Sequence, residues 1–330
     1  MIKVGQIGCG GIGGIHARCW ENLKDKVQLV AVADFNLTKA KELSEICRAN
    51  VYEDAIQMLK SEKLDIVDIC LPTFLHAKYV IEAMKYVKNI IVEKPLCLNE
   101  EEAEMMKNAQ KKYGATVLVG HVVRFGATYA YLADVIRSGK YGRVIEADFH
   151  RISPKPVWVK DYDNVNKTGG MPIDLHIHDV DFIRYIMKGD PNNLDSVVAC
   201  SKNGVVENIW STFFYESSVI RVEASWIYPV SMKFKKSARV RLEKAVVEVN
   251  EQNTLTVYPE EGEAFSPEFA QENMDFGINI SDILPFFNEL SSFVAYFGGD
   301  KTANVVTLDD AISALKLVIK DLNSAKRYDV

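Results

Sequence analysis

The chain has 330 residues, 48% of them hydrophobic and 25% charged, an ordinary globular composition at a length that suits two domains; a disordered chain and a disulfide-stapled miniprotein are both excluded. Its 39 Lys and Arg against 45 Asp and Glu leave a net charge of −6. With that balance and no long run of either sign, nucleic acid and an anionic membrane are not expected partners.

In chain order, residues 4–7, 28–33, 65–70, 89–92 and 116–119 read as strands, several apolar nearly throughout, as strands buried on both faces must be. Helices alternate with them near 12–23, 38–47, 54–59, 75–86 and 99–112. Thr38 opens the second of these, and Asn99 precedes a Glu-Glu-Glu first turn in the last. The alternation predicts an α/β domain with a doubly wound parallel sheet over residues 1–121. From 122 to 330 the rhythm changes: strands at 205–215, 219–228, 239–242, 245–249 and 254–258 follow one another through short polar turns. That predicts a largely antiparallel open sheet, and helices near 129–137, 172–187, 283–297 and 308–324 make the second domain α+β. Stretches 153–169 and 259–281 lack periodicity and read as long loops. On the sheet, Val222, Ala224, Trp226 and Tyr228 share one side of their strand, and Ile209, Ser211, Phe213 and Tyr215 share one side of the neighbouring strand. This broad face is expected to carry self-association.

Apolar runs fall far short of the ~20 residues of a membrane span, and the N-terminal residues show no secretory pattern. The six cysteines (Cys9, Cys19, Cys47, Cys70, Cys97, Cys200) form no C-x-x-C pair. They read as reduced, mostly buried thiols of a cytoplasmic protein.

Gly8-Cys9-Gly10-Gly11-Ile12-Gly13 follows the first strand and opens the first helix, the context that G-x-G-x-x-G requires. Gly8 permits the tight turn, Gly10 lets backbone approach a pyrophosphate, and Gly13 lets helix and strand pack closely, while the helix N-terminus supplies N–H donors. Asp34 ends the second strand 21 residues past Gly13 (34 − 13). A carboxylate there accepts hydrogen bonds from both ribose hydroxyls of NAD and repels a 2′-phosphate. Phe35 and Asn36 offer no cation to that phosphate, so NAD is expected over NADP, with Lys39 and Lys41 as the cations nearest to reversing it.

Three further segments form a pattern: Leu71-Pro72-Thr73-Phe74-Leu75-His76 after the fourth strand, Glu93-Lys94-Pro95 after the fifth, and Gly169-Gly170-Met171-Pro172-Ile173-Asp174-Leu175-His176-Ile177-His178-Asp179-Val180-Asp181 in the second half. With the glycine loop, they resemble the Gfo/Idh/MocA family of glucose-fructose oxidoreductases and inositol dehydrogenases over most of the chain. The resemblance implies a Rossmann domain followed by a substrate-binding and oligomerisation domain, with dimers or tetramers formed through the second sheet. It implies that Cys9, Gly11, Ile12, Leu71, Pro72, Thr73, His76, Glu93 and Lys94 join Gly8, Gly10, Gly13 and Asp34 at the cofactor, and that Lys94, Asp174 and His178 handle substrate and catalysis. Val119 to Phe125, with His121 and Arg124, is similar to the family's domain-crossing segment, although Gly126-Ala127 stands where the family often has Asn-Pro or Asp-Pro.

The residues support this independently. Pro72 and Lys94 follow strand ends, where ligands of open α/β sheets bind. A desolvated lysine there can hold or exchange a hydroxyl proton. Asp174, His178 and Asp181 stand at i, i+4 and i+7, one face of a helix, where His178 can exchange a proton near neutral pH and Asp181 can orient it. His176 lies 200° round the helix from Asp174. The two imidazoles of His176 and His178 project to opposite sides and no second Cys or His cluster completes a shell, so no metal is expected. Arg124, Arg151 and Trp158 are candidate substrate contacts.

The expected activity is an NAD-dependent oxidoreductase, a dehydrogenase that moves a hydride between nicotinamide and a secondary hydroxyl of a sugar, cyclitol such as inositol, or related polyol. Two alternatives stand beside it: a glycoside hydrolase of the same fold that uses NAD transiently, and a non-catalytic cofactor sensor. A sensor would need neither Lys94 nor His178.

Overall fold

The computed structural model describes residues 1–156, 164–270 and 282–329. Two compact units divide the chain: 1–122 with 271–312, and 123–270 with 313–330. The single expected boundary after residue 121 therefore marks only the first crossing. The chain returns to the first unit because the helix Leu284–Phe297 buries Phe286, Leu290 and Phe293 there, with the Phe286 ring 6.0 Å from that of His16.

The elements of the first unit run β1 (Ile2–Ile7), α1 (Gly11–Asn22), β2 (Val27–Ala33), α2 (Leu37–Cys47), β3 (Asn50–Tyr52), α3 (Ala55–Ser61), β4 (Ile66–Ile69), α4 (Thr73–Ala83), β5 (Asn89–Glu93), α5 (Glu100–Tyr113) and β6 (Thr116–Gly120). The strands pair in parallel in the order β3-β2-β1-β4-β5-β6. The order reverses between β1 and β4, the switch point beside which doubly wound sheets bind ligands at their carboxyl ends. β4 is buried throughout, including Asp68. Helix starts follow local chemistry. Asn36, not Thr38, caps α2 by accepting from the Thr38 and Lys39 N–H groups, and Asn99 caps α5 ahead of three glutamates that favour the helix N-terminus.

The second part of the chain begins with a 3₁₀ turn (Val122–Phe125). It continues through α6 (Ala127–Ser138), β7 (Val144–Ile152), α7 (Val165–Thr168), a π turn (Pro172–His176), α8 (Ile177–Met187), β8 (Asn193–Cys200), β9 (Val206–Tyr215), β10 (Ser218–Ser225), β11 (Lys235–Leu242), β12 (Ala245–Val249) and β13 (Leu255–Pro259). The helix α9 (Leu284–Phe297), then α10 (Leu308–Ser324) and β14 (Lys326–Asp329) complete it. The sheet order is β13-β12-β11-β7-β10-β9-β8-β14. Its pairings are antiparallel except for β7 with β10 and β8 with β14, so the sheet is mixed. β7 and β8 are absent from the sequence reading because polar residues occupy inward positions, Arg151 in one and Ser196 in the other, and each finds an acidic partner only in the folded unit.

The faces of this sheet are the reverse of the expected ones. Ile209, Phe213, Val222, Ala224 and Trp226 are core residues, and Ile209, Ala224 and Trp226 cluster with Met171, Leu175, Val198 and Cys200. The register puts Trp210, Phe214, Val219 and Tyr258 on the other side, 45%, 37%, 39% and 45% exposed. The alternation was legible, but which side met the helices was not, because both sides carry aromatics.

Candidate functional site

In the first unit, each glycine of the loop does a separate job. Gly8 has φ +100°, and a Cβ there would stand 2.4 Å from the Cys70 carbonyl oxygen. A Cβ on Gly13 would stand 2.2 Å from the Gly8 oxygen, whereas one on Gly10 would meet nothing within 4 Å. Space is thus kept open over Gly10, where a pyrophosphate would approach, and no side chain caps α1. The donor set and the opening fit a dinucleotide. Buried Gln6 fixes the loop by donating to the Gly8 and Gly13 carbonyls at 3.0 and 2.9 Å. Asp34 accepts from the Cys9 and Asn36 N–H groups, both at 2.8 Å, which ties its carboxylate to the loop and leaves lone pairs for ribose hydroxyls. Burial, and then the Asp34 charge, push the Cys9 thiol up to about 12.

Leu71 and Thr73 are half-buried and Pro72 is exposed at the start of α4. His76 is buried, its Nδ1 2.8 Å from the Pro95 oxygen and its Nε2 2.6 Å from the Leu71 oxygen. Its ring thus ties two loops together, and burial pushes its pKa down. From residue 90 to 97 every residue is buried except Lys94, which is half-buried.

Beneath this turn lies a network that the sequence reading missed. His16 of α1 is fully buried between two carboxylates, with Nδ1 2.9 Å from Asp68 Oδ2 and Nε2 3.0 Å from Glu93 Oε1. Trp20 Nε1 donates to Asp68 Oδ2 at 2.8 Å, and the Cys70 thiol lies 3.6 Å from Asp68 Oδ1. Burial alone would lower the His16 pKa, but the Asp68 charge and then Cys70 outweigh it and hold it well above the usual imidazole value. The donor atoms of His16, Asp68 and Cys70 lie within 4.8 Å of one another, a spacing that could hold a metal ion; hydrogen bonds account for these atoms as they stand. The signal available in the sequence was Asp68, an acid inside an apolar strand.

In the second unit, Gly169 and Gly170 take φ values of +77° and +69° and lead into the π turn. From residue 171 to 183 every residue is buried except Asp174 and His178. Both of these are half-buried. Asp181 does not join them. It is buried and receives Nε and Nη2 of Arg124 at 2.7 and 2.5 Å, with the guanidinium stacked 4.5 Å over the Tyr185 ring. Asp179 likewise receives Nε and Nη2 of Arg151, both at 2.8 Å. The expectation of two substrate-facing arginines, and of Asp181 as orienting partner for His178, gives way to two buried bidentate ion pairs that pin the helix from within. His176 is buried off the shared face, with Nε2 3.0 Å from Asp321 Oδ2, and Asp321 also accepts from Ser196 and Ser211. Trp158 lies outside the described residues.

These geometries have relatives. The sequence model of the oxidoreductase family with an NAD-binding Rossmann fold matches residues 2–121, and that of the GFO/IDH/MocA C-terminal domain matches residues 129–264. The chain is 31% identical over 191 residues to myo-inositol 2-dehydrogenase of Thermotoga maritima, covering 56% of this chain and 55% of that protein. It is 29% identical over 188 residues to scyllo-inositol 2-dehydrogenase (NAD(+)) of Bacillus subtilis, covering 57% and 54%. The chain thus spans about half the length of the curated relatives it matches. Levoglucosan dehydrogenase, solved in complex with NADH and levoglucosan, shares the fold with a TM-score of 0.83 at 17% identity, over 98% of this chain and 97% of that one. With the two models together matching well over half of its length, the chain belongs to the Gfo/Idh/MocA oxidoreductase family.

Proposed function

We propose that the protein is an NAD-dependent dehydrogenase acting on a secondary hydroxyl of a sugar, cyclitol or related polyol. The observation that carries this reading is the burial pattern: within 90–97 only Lys94, and within 171–183 only Asp174 and His178, are half-buried rather than buried. An acid, an imidazole and an ammonium left half-buried in otherwise buried segments suit proton traffic at a carbinol group. Relatives named as inositol 2-dehydrogenases support the substrate class.

NAD+, when bound, supplies the hydride acceptor. The chain's own residues do the rest. The loop from Gly8 to Gly13 and the N-terminus of α1 hold the pyrophosphate, and Asp34 holds the ribose hydroxyls. His178 takes the alcohol proton, with Lys94 and Asp174 holding the hydroxyl so that its carbon is aligned for transfer. The ordered ion pairs of Asp179 and Asp181 fix the helix that carries His178. The outer face of the large sheet, with Trp210, Phe214, Val219 and Tyr258, is the surface for self-association in this reading. Among the described residues no helix is long and apolar enough to cross a membrane. The six unbridged cysteines suit the reducing cytoplasm.

The test is a panel of inositols and sugars followed by NADH absorbance, repeated with Lys94→Ala and His178→Ala. Each variant should lose ~100-fold or more in kcat, within the range removed with a positioned acid or base, while binding NAD+ as the wild type does. Wild-type turnover by His178→Ala on the true substrate would end this assignment.

A further inference from the structure

The buried charge cluster under the Glu93-Lys94-Pro95 turn has a use beyond stability. Glu93 spends one carboxylate oxygen on His16 Nε2 at 3.0 Å and the other on the Lys94 N–H at 3.1 Å. Its seat is closed on a further side by Gly120, its register partner on β6, where a Cβ would come within 2.8 Å of Glu93 Oε1. Two carboxylates facing one buried imidazole favour the imidazolium, which donates from both nitrogens and balances one of the two negative charges. Asp68, held by Trp20, keeps the far side of the ring in place.

We infer that His16, seated on Asp68, is a positioning residue for Lys94: it holds the Glu93 carboxylate against the Lys94 N–H and so fixes the direction in which the Lys94 side chain leaves the strand. The chain of contacts runs Trp20 to Asp68 to His16 to Glu93 to the Lys94 backbone, all within the first unit. Removing His16 takes away the donor at Glu93 Oε1 and leaves that buried carboxylate without its counter-charge, so it must rotate toward water or toward another donor. Either change releases the Lys94 N–H. An ångström of displacement at a reacting group costs on the order of 100-fold in rate. The inference rests on the reading of Lys94 as a catalytic residue, and its test separates the two.

The test reads Lys94 without turnover. The cofactor-free protein is reductively methylated with ¹³C-formaldehyde, and the dimethyl-lysine resonance of residue 94 is assigned by its loss in Lys94→Arg. In His16→Asn this resonance should move, whereas in His150→Ala, altered on the outer face of the other unit, it should stay. Asp68→Asn, nearly isosteric, should move it in the same direction and serves if His16→Asn fails to fold. NAD+ affinity by calorimetry should match wild type in both variants, while kcat with myo-inositol should fall ~10- to 100-fold. A cooperatively melting His16→Asn or Asp68→Asn protein with an unmoved Lys94 resonance overturns the inference. Wild-type turnover by Lys94→Ala would instead overturn the catalytic reading on which it rests, with the resonance still reporting on the anchoring.

Discussion

Gly10 and Gly13 stand three residues apart, yet one should govern cofactor binding and the other folding. Gly10 has φ −75° and ψ −164°, extended backbone open to any residue, and a Cβ there meets nothing within 4 Å. Gly10→Ala gains ~0.4–1 kcal/mol by restricting the unfolded chain. A similar loss offsets it, because alanine is a poorer N-cap than glycine by several tenths of a kcal/mol or more. Stability should therefore change by no more than ~0.5 kcal/mol, or under ~2 °C in Tm. The methyl does, however, fill the space a phosphate needs. Losing one charge-assisted hydrogen bond from the first turn of α1 costs ~1.5–3 kcal/mol, about 10- to 150-fold in NAD+ affinity. Gly13→Ala should behave in the opposite way. Its Cβ would lie 2.2 Å from the Gly8 oxygen and 2.9 Å from Gln6 Nε2. Such overpacking costs ~1–3 kcal/mol and should lower Tm by ~2–12 °C. Scanning calorimetry without cofactor reads the first quantity and isothermal titration with NAD+ reads the second. A Gly10→Ala protein that binds NAD+ like wild type, or a Gly13→Ala protein with wild-type Tm, refutes the reasoning.

Replacing Asp34 by Ser together with Asn36→Arg should turn preference toward NADP, measured as the ratio of the two dissociation constants; a wild type that already prefers NADP sinks the assignment. The same double change removes the α2 cap, since Asn36 accepts from the Thr38 and Lys39 N–H groups, so Tm should drop by the equivalent of ~1 kcal/mol. His16 supplies a pH signature. Its folded pKa is raised above the unfolded value of 6.5, so its stabilisation is complete below that value and is lost as pH rises through the folded pKa. The Tm gap between wild type and His16→Asn should therefore narrow as pH increases from 6.5 upward, and a gap that widens contradicts the charged state assigned to the ring. Under the proposed self-association through the outer sheet face, Trp210→Glu with Phe214→Glu should give a smaller particle than wild type, down to a monomer, in light scattering. A wild type that is already monomeric at micromolar concentration rules out that face as an interface.

The sequence by itself determined the parallel first sheet and the glycine loop with Asp34. Each is a local matter: a period, a spacing or a backbone requirement that near neighbours in the chain impose. The fate of the other charged residues was decided only by tertiary structure. Arg124 and Arg151 looked like substrate contacts because an isolated sequence cannot say that Asp181 and Asp179 will face them across 57 and 28 residues. His16 gave no sign of importance until folding set it between Asp68, 52 residues on, and Glu93, 77 residues on. Which sheet face became core was likewise settled by packing, since Trp210 and Phe214 on one side and Phe213 and Trp226 on the other are comparably apolar. A buried charge is tolerable only beside its counter-charge, and the identity of that partner is a property of the fold rather than of any stretch of sequence.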